Sequence, residues 1–81
     1  MDSIIKYELP EVSNLNLKVY DILGSEVTTL VNEEKDAGKY EAQFSTNSYQ
    51  LASGIYFYRL EAKSKVSNKH FTKVGKMILL K

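Results

Sequence analysis

The run Gly54-Ile55-Tyr56-Phe57-Tyr58-Arg59-Leu60 constrains the fold more than any other stretch of the chain. Its β-branched and aromatic residues suit a pleated surface, and side chains alternate faces along an extended strand. Ile55 and Phe57 therefore point one way, and Tyr56, Tyr58 and Leu60 the other. With both faces apolar, both are expected to be covered, which describes a central strand in a two-layer protein. Gly54 fits the turn that feeds this strand, where φ is positive or another backbone comes close. Packing accounts for these tyrosines without a catalytic role.

The same period of two recurs on either side. Ile5, Tyr7 and Leu9 share one face of a strand that Pro10 ends, since proline cannot donate to a ladder. Leu15, Leu17 and Val19 face inward from a second strand, with Asn16, Lys18 and Tyr20 opposite. Asp21-Ile22-Leu23-Gly24-Ser25 turns the chain, with Asp21 capping through its side chain. At least one of Ile22 and Leu23 is expected to tuck under the sandwich. Glu26 to Val31 returns as the partner of a hairpin, and the charged run Asn32 to Gly38 is expected to be a surface loop. Tyr40, Ala42 and Phe44 then face in from Lys39 to Ser45, and Tyr49 is expected to pack back from the following loop. Ser64 to Lys69 reads as a hairpin tip, and His70 to Lys81 as the last strand. In that strand Gly75 suggests a bulge or twist, and Met77 to Leu80 is expected to be paired and mostly buried. The fold is thus all-β: a small Ig-like antiparallel β-sandwich of about seven short strands.

With 81 residues the chain is one domain, spanning 1–81. It is large enough to fold alone, though such a domain buries only about 60% of its unfolded surface. The net charge of +1 provides no global field for nucleic acid. No apolar run approaches the ~20 residues of a membrane span. No charged segment leads into an apolar one in the manner of an N-terminal signal peptide, so an exported protein carrying this domain is expected to hold its signal elsewhere on a longer chain.

Reactive constellations are absent from the sequence. There are no cysteines, and His70 is the lone histidine, beside Lys69 and expected in solvent. The carboxylates are scattered, and none forms a calcium loop. Glu33, Glu34 and Asp36 read better as a solvated loop than as a cation site, and Ser3, Ser13 and Ser53 lack the context of a nucleophile. No catalytic, metal or cofactor site is assigned. Lys63, Lys65, Lys69, Lys73, Lys76 and Lys81 make the last third basic, either as a dock for an anionic partner or as ordinary protection of an edge strand.

Several stretches, taken in order, resemble one family. They are Ile5-Lys6-Tyr7-Glu8-Leu9-Pro10, Leu17-Lys18-Val19-Tyr20-Asp21-Ile22-Leu23-Gly24-Ser25-Glu26-Val27, Ala37-Gly38-Lys39-Tyr40-Glu41, Leu51-Ala52-Ser53-Gly54-Ile55-Tyr56-Phe57-Tyr58-Arg59-Leu60 and the ending Lys76-Met77-Ile78-Leu79-Leu80-Lys81. Together they resemble the C-terminal sorting domain of the type IX (Por) secretion system of the Bacteroidetes. The resemblance implies a non-catalytic signal at the end of a larger secreted protein. It implies passage through the periplasm to the cell surface or medium by way of the outer-membrane translocon, with removal by a C-terminal signal peptidase. By the same resemblance Gly54, Tyr56, Lys76, Met77, Ile78, Leu79, Leu80 and Lys81 are the positions read by the translocon. A terminal strand suits that role because its backbone can be read by strand addition. An isolated domain is expected to be a monomer or a weak edge-strand dimer. The competing reading is a carbohydrate-binding or adhesin-type module on a secreted enzyme, which requires Tyr20, Tyr49 or Tyr58 to lie together on one open face.

Overall fold

The computed structural model describes residues 2–45 and 52–79. They form six strands: β1 (Asp2–Leu9), β2 (Ser13–Asp21), β3 (Glu26–Lys35), β4 (Gly38–Ser45), β5 (Gly54–Ser64) and β6 (His70–Leu79). All neighbours are antiparallel. One sheet has the order β3-β2-β5-β6, and β1 and β4 pair as a second, two-stranded sheet. This is the expected all-β sandwich, with six strands in place of about seven. Tyr49 falls outside the described residues.

Alternation builds the core as the sequence indicates. Ile5, Tyr7 and Leu9 of β1 are buried against Leu15, Leu17 and Val19 of β2, with Ala42 and Phe44 from β4 and Tyr56, Leu60 and Ala62 from β5. Phe44 is fully enclosed, and its ring lies 6.3 Å from that of Tyr56 at a tilt of 59°. Such tilted pairs add to simple burial. The strand β1 stops before Pro10, and β2 and β3 form the expected hairpin.

Four expectations are corrected. First, the charged run after Asn32 is not a loop. Backbone pairing of Leu15, Asn14 and Ser13 with Glu33, Glu34 and Lys35 carries β3 through to Lys35. The charges are accommodated at the sheet margin by an ion pair of Lys35 with Glu33 at 3.0 Å, another of Lys65 with Glu34, and a Lys35 ammonium 4.7 Å from the centre of the Tyr40 ring. Only Asp36 and Ala37 remain to cross to the other sheet, where Gly38 takes φ 155° and the Tyr40 hydroxyl donates to the Asp36 carbonyl at 2.6 Å.

Second, Ile22 and Leu23 are both exposed, at 65% and 88%. Their turn is closed by polar bonds alone. The Asp21 carboxylate accepts from the amides of Leu23 and Ser25, the Asp21 carbonyl accepts from Gly24, and the Asp21 amide donates to Ser25. This geometry, with φ 86° at Gly24, projects the two apolar side chains away from the sheets.

Third, β5 is interior to its sheet but covered on one face only. Tyr56 and Leu60 are buried beneath the smaller sheet, whereas Ile55 is exposed at 37%, Phe57 is half-buried and Arg59 is exposed. The same alternation exposes Ile78 in β6, while Met77 and Leu79 are paired and buried as expected. The smaller sheet packs on one face of the larger, and among the described residues no second layer covers the other face.

Fourth, Gly75 makes no bulge: the β5–β6 register is continuous through it. The register shifts occur instead between β2 and β3, at Leu17/Lys18 and Val19/Tyr20. Gly75 is small because the Tyr58 ring occupies the place of its missing side chain.

Candidate functional site

The terminal hairpin β5–β6 carries every described position that the family resemblance points to. Gly54 pairs with Leu79, Ile55 with Ile78, Tyr56 with Met77 and Phe57 with Lys76. Strand alternation divides them between two environments. Tyr56, Met77 and Leu79 are buried between the sheets, and Gly54 opens β5 with φ 154°. The Tyr56 hydroxyl donates to the Ala52 carbonyl at 2.7 Å, pinning the residues that lead into the strand. Lys76 and Ile78 lie on the outer face in solvent. Leu80 and Lys81 lie outside the described residues.

The outer face beside Lys76 and Ile78 is apolar, as the sequence indicates, but uncovered. It includes Ile55, Phe57 and the exposed Val74, with Tyr20 opposite Phe57 on β2. Charged neighbours interrupt it: Arg59 bonds Glu61 at 2.6 Å and Lys18 bonds Glu26 at 2.9 Å. The Glu26 carboxylate raises the Lys18 pKa, so that lysine stays charged.

At the other end of the hairpin, the loop after β5 is tied to the β1–β2 connection. Ser64 and Ser67 hydroxyls donate to one Glu11 carboxylate oxygen, the latter at 2.8 Å. Those bonds hold the Glu11 carboxyl below its ordinary range. The Lys65 amide donates to the Val12 carbonyl at 2.9 Å. His70 is exposed, as expected.

Among the described residues, no three His, Cys, Asp or Glu side chains gather closely enough to hold a metal ion. The surface depressions are shallow. One of about 490 Å³ runs between β1 and β6, lined by Ile5, Lys6, Tyr58, Lys73, Lys76 and Met77. Sequence reasoning identified Lys73 and Lys76 as basic but missed Lys6 and Tyr58, because only the topology sets β1 beside β6. A glycan platform is disfavoured, since Tyr20 and Tyr58 occupy opposite faces of their sheet: Tyr20 pairs with outward Phe57, and Tyr58 pairs with buried Val19.

The described residues thus form a small all-β sandwich in which β6 is an outermost strand. The sequence pattern described as the secretion system C-terminal sorting domain matches residues 2–74. The chain belongs to this type IX sorting-domain family. No curated protein and no solved structure matches the chain. Membership makes it a C-terminal sorting signal of a protein exported across the outer membrane, in a family defined by sorting rather than catalysis.

Proposed function

We propose that this domain carries an N-terminally attached cargo to the type IX outer-membrane translocon, which reads β6 together with Leu80 and Lys81. The cargo reaches the cell surface or medium after transit through the periplasm, and a C-terminal signal peptidase removes the domain there. The observation that carries this reading is the family match across residues 2–74. The position of β6 supports it. As the outermost strand of the larger sheet it pairs, among the described residues, with β5 alone, so its other edge offers backbone groups for strand addition. Lys76 and Ile78 stand outward and are available for contact, whereas buried Tyr56, Met77 and Leu79 hold the strand in place. In this reading Gly54 and Tyr56 act by shaping the hairpin.

A secretion assay tests the proposal. Residues 1 to 81 are fused behind a fluorescent protein exported to the periplasm of a type IX-competent host, and compared with a fusion lacking residues 76 to 81. Delivery of the complete fusion to the surface or medium, with the truncated one held in the periplasm, is the expected result. Retention of both, while another sorting domain works in parallel, overturns it.

A further inference from the structure

The two sheets are unequal, and the inequality leaves a strand-sized gap. Over most of the inner face of the larger sheet, β1 and β4 bury what lies beneath them. Along β6 the cover gives out: Met77 and Leu79 are buried, but Gly75 and Tyr58 are only half-buried and Lys73 is exposed. On that side β1 has no hydrogen-bonded neighbour among the described residues, because its single partner is β4. An eight-residue strand with one open edge presents a row of unpaired N–H and C=O groups about 26 Å long, at about 3.3 Å per residue.

The gap is also chemically biased. Its floor is apolar, from Ile5, Tyr58 and Met77, and its rim carries Lys6, Lys73 and Lys76, with no carboxylate among the lining residues. Lys73 and Lys76 form no ion pair among the described residues, and Lys6 reaches Glu41 only at 3.9 Å, both side chains well exposed. A neighbouring depression of about 610 Å³ shares Lys6 and Lys73 but is mixed in charge, adding Lys39 together with Glu8 and Glu41.

We propose that this gap takes an extended peptide segment of the export machinery in which acidic residues alternate with apolar ones, and that the segment joins β1 as the third strand of the smaller sheet. The identity of the partner rests on the sorting reading; the chemistry of the segment rests on the gap itself. Free strand edges call for a polypeptide, because only a backbone supplies N–H and C=O groups at the repeat of a strand. Alternation follows from the pleat, which turns one set of side chains to the apolar floor and the other outward on the side of Lys6, while Lys73 and Lys76 flank the strand from β6. A second copy pairing through its own β1 or β6 is a poor occupant, since either of those strands would bring its lysines against these.

The test titrates the complete 81-residue chain with a capped octapeptide alternating glutamate with valine and threonine, followed by amide NMR and hydrogen exchange. Saturable binding is expected, with slowed exchange on β1 amides and shifts at Lys73 and Lys76. The double variant Lys73→Glu, Lys76→Glu, both on exposed positions, is expected to bind about tenfold more weakly, as lost and inverted surface ion pairs add up. Raising the salt concentration should weaken wild-type binding. Absence of saturable binding, protection on the β3 edge instead of β1, or equal binding of a lysine-for-glutamate peptide overturns the proposal. So does concentration-dependent slowing of the β1 amides without peptide, which assigns that edge to a second copy. A Lys6→Glu, Lys73→Glu double variant, which leaves the outward Lys76 of β6 untouched, enters the secretion assay. If wild type is exported and the variant equally so, the gap is not read by the machinery and the sorting reading stands. If wild type itself is retained, the sorting reading fails, and with it the assignment of the partner.

Discussion

Tyr58 and Gly75 face each other across the β5–β6 ladder, and a Cβ built on Gly75 would stand 2.1 Å from Tyr58 Cε2. The ring lies over the glycine, covering a position with no side chain of its own. This is a cross-strand pairing in which the aromatic residue supplies the packing surface for both. Gly75 is not among the glycines with positive φ, so the ring and not the backbone requires it.

Replacing Gly75 with alanine should therefore displace the ring. The expected cost is about 1–2 kcal/mol, in the range of overpacking. Urea unfolding measures it. A Tyr58→Leu, Gly75→Ala double variant should be more stable than the sum of the single effects, because the clash disappears with the ring. If Gly75→Ala is neutral alone, the close packing of this pair is refuted.

Tyr56 allows the folding and recognition roles of the hairpin to be separated. Tyr56→Phe removes the bond to the Ala52 carbonyl but keeps the ring against Phe44. It should cost about 1 kcal/mol and leave export of a fusion intact. Tyr56→Ala opens the core, at about 3–5 kcal/mol, a large part of the ~5–15 kcal/mol that holds a domain. That variant should lose export together with its folded circular dichroism. A stable Tyr56→Phe protein that is not exported would show that the translocon contacts the hydroxyl directly.

Alternating patterns made much of this fold legible before the structure. Leu15, Leu17 and Val19, or Ile5, Tyr7 and Leu9, declare their buried face because the intervening residues are polar. Ile55 and Ile78 mislead because an apolar residue on an uncovered face looks like one on a covered face. Covering is decided by which face the second sheet packs against, which no local pattern encodes. The length of β3 was hidden for the complementary reason: Glu33, Glu34 and Lys35 are held by backbone pairing with β2, to which side-chain polarity is indifferent. The positions of β6 proposed for recognition were suggested by family resemblance alone, whereas the gap beside Lys73 needed the neighbourhood of β1, nearly the whole chain away in sequence.

The exposed turn gives a contrast between apolar and polar contributions. Replacing Ile22 and Leu23 with serine should change stability by less than about 0.5 kcal/mol, since neither is buried. Asp21→Ala removes the acceptor for the amides of Leu23 and Ser25 and should cost about 1 kcal/mol. Chemical denaturation of the two variants compares them. A loss of about 2 kcal/mol or more from the serine variant would mean that the turn packs against the protein after all.

Glu11 makes the tether between the β1–β2 connection and the loop after β5 sensitive to acid. The Ser64 and Ser67 hydroxyls donate to its carboxylate and depress its pKa in the folded state. A depressed carboxyl contributes stability that is present above its unfolded pKa and lost as pH falls through the folded one. Glu11→Gln should therefore unfold at lower urea than wild type at pH 7. The two midpoints should converge once the pH lies below the folded Glu11 value, where wild type is protonated too. The Lys65 amide, which donates to Val12 at 2.9 Å, offers a local readout: its hydrogen exchange should be faster in Glu11→Gln at pH 7. Because exchange chemistry itself varies with pH, each comparison is made between wild type and variant at one pH. A midpoint difference that stays constant from pH 7 to pH 3 would show that Glu11 acts through packing and not through its charge.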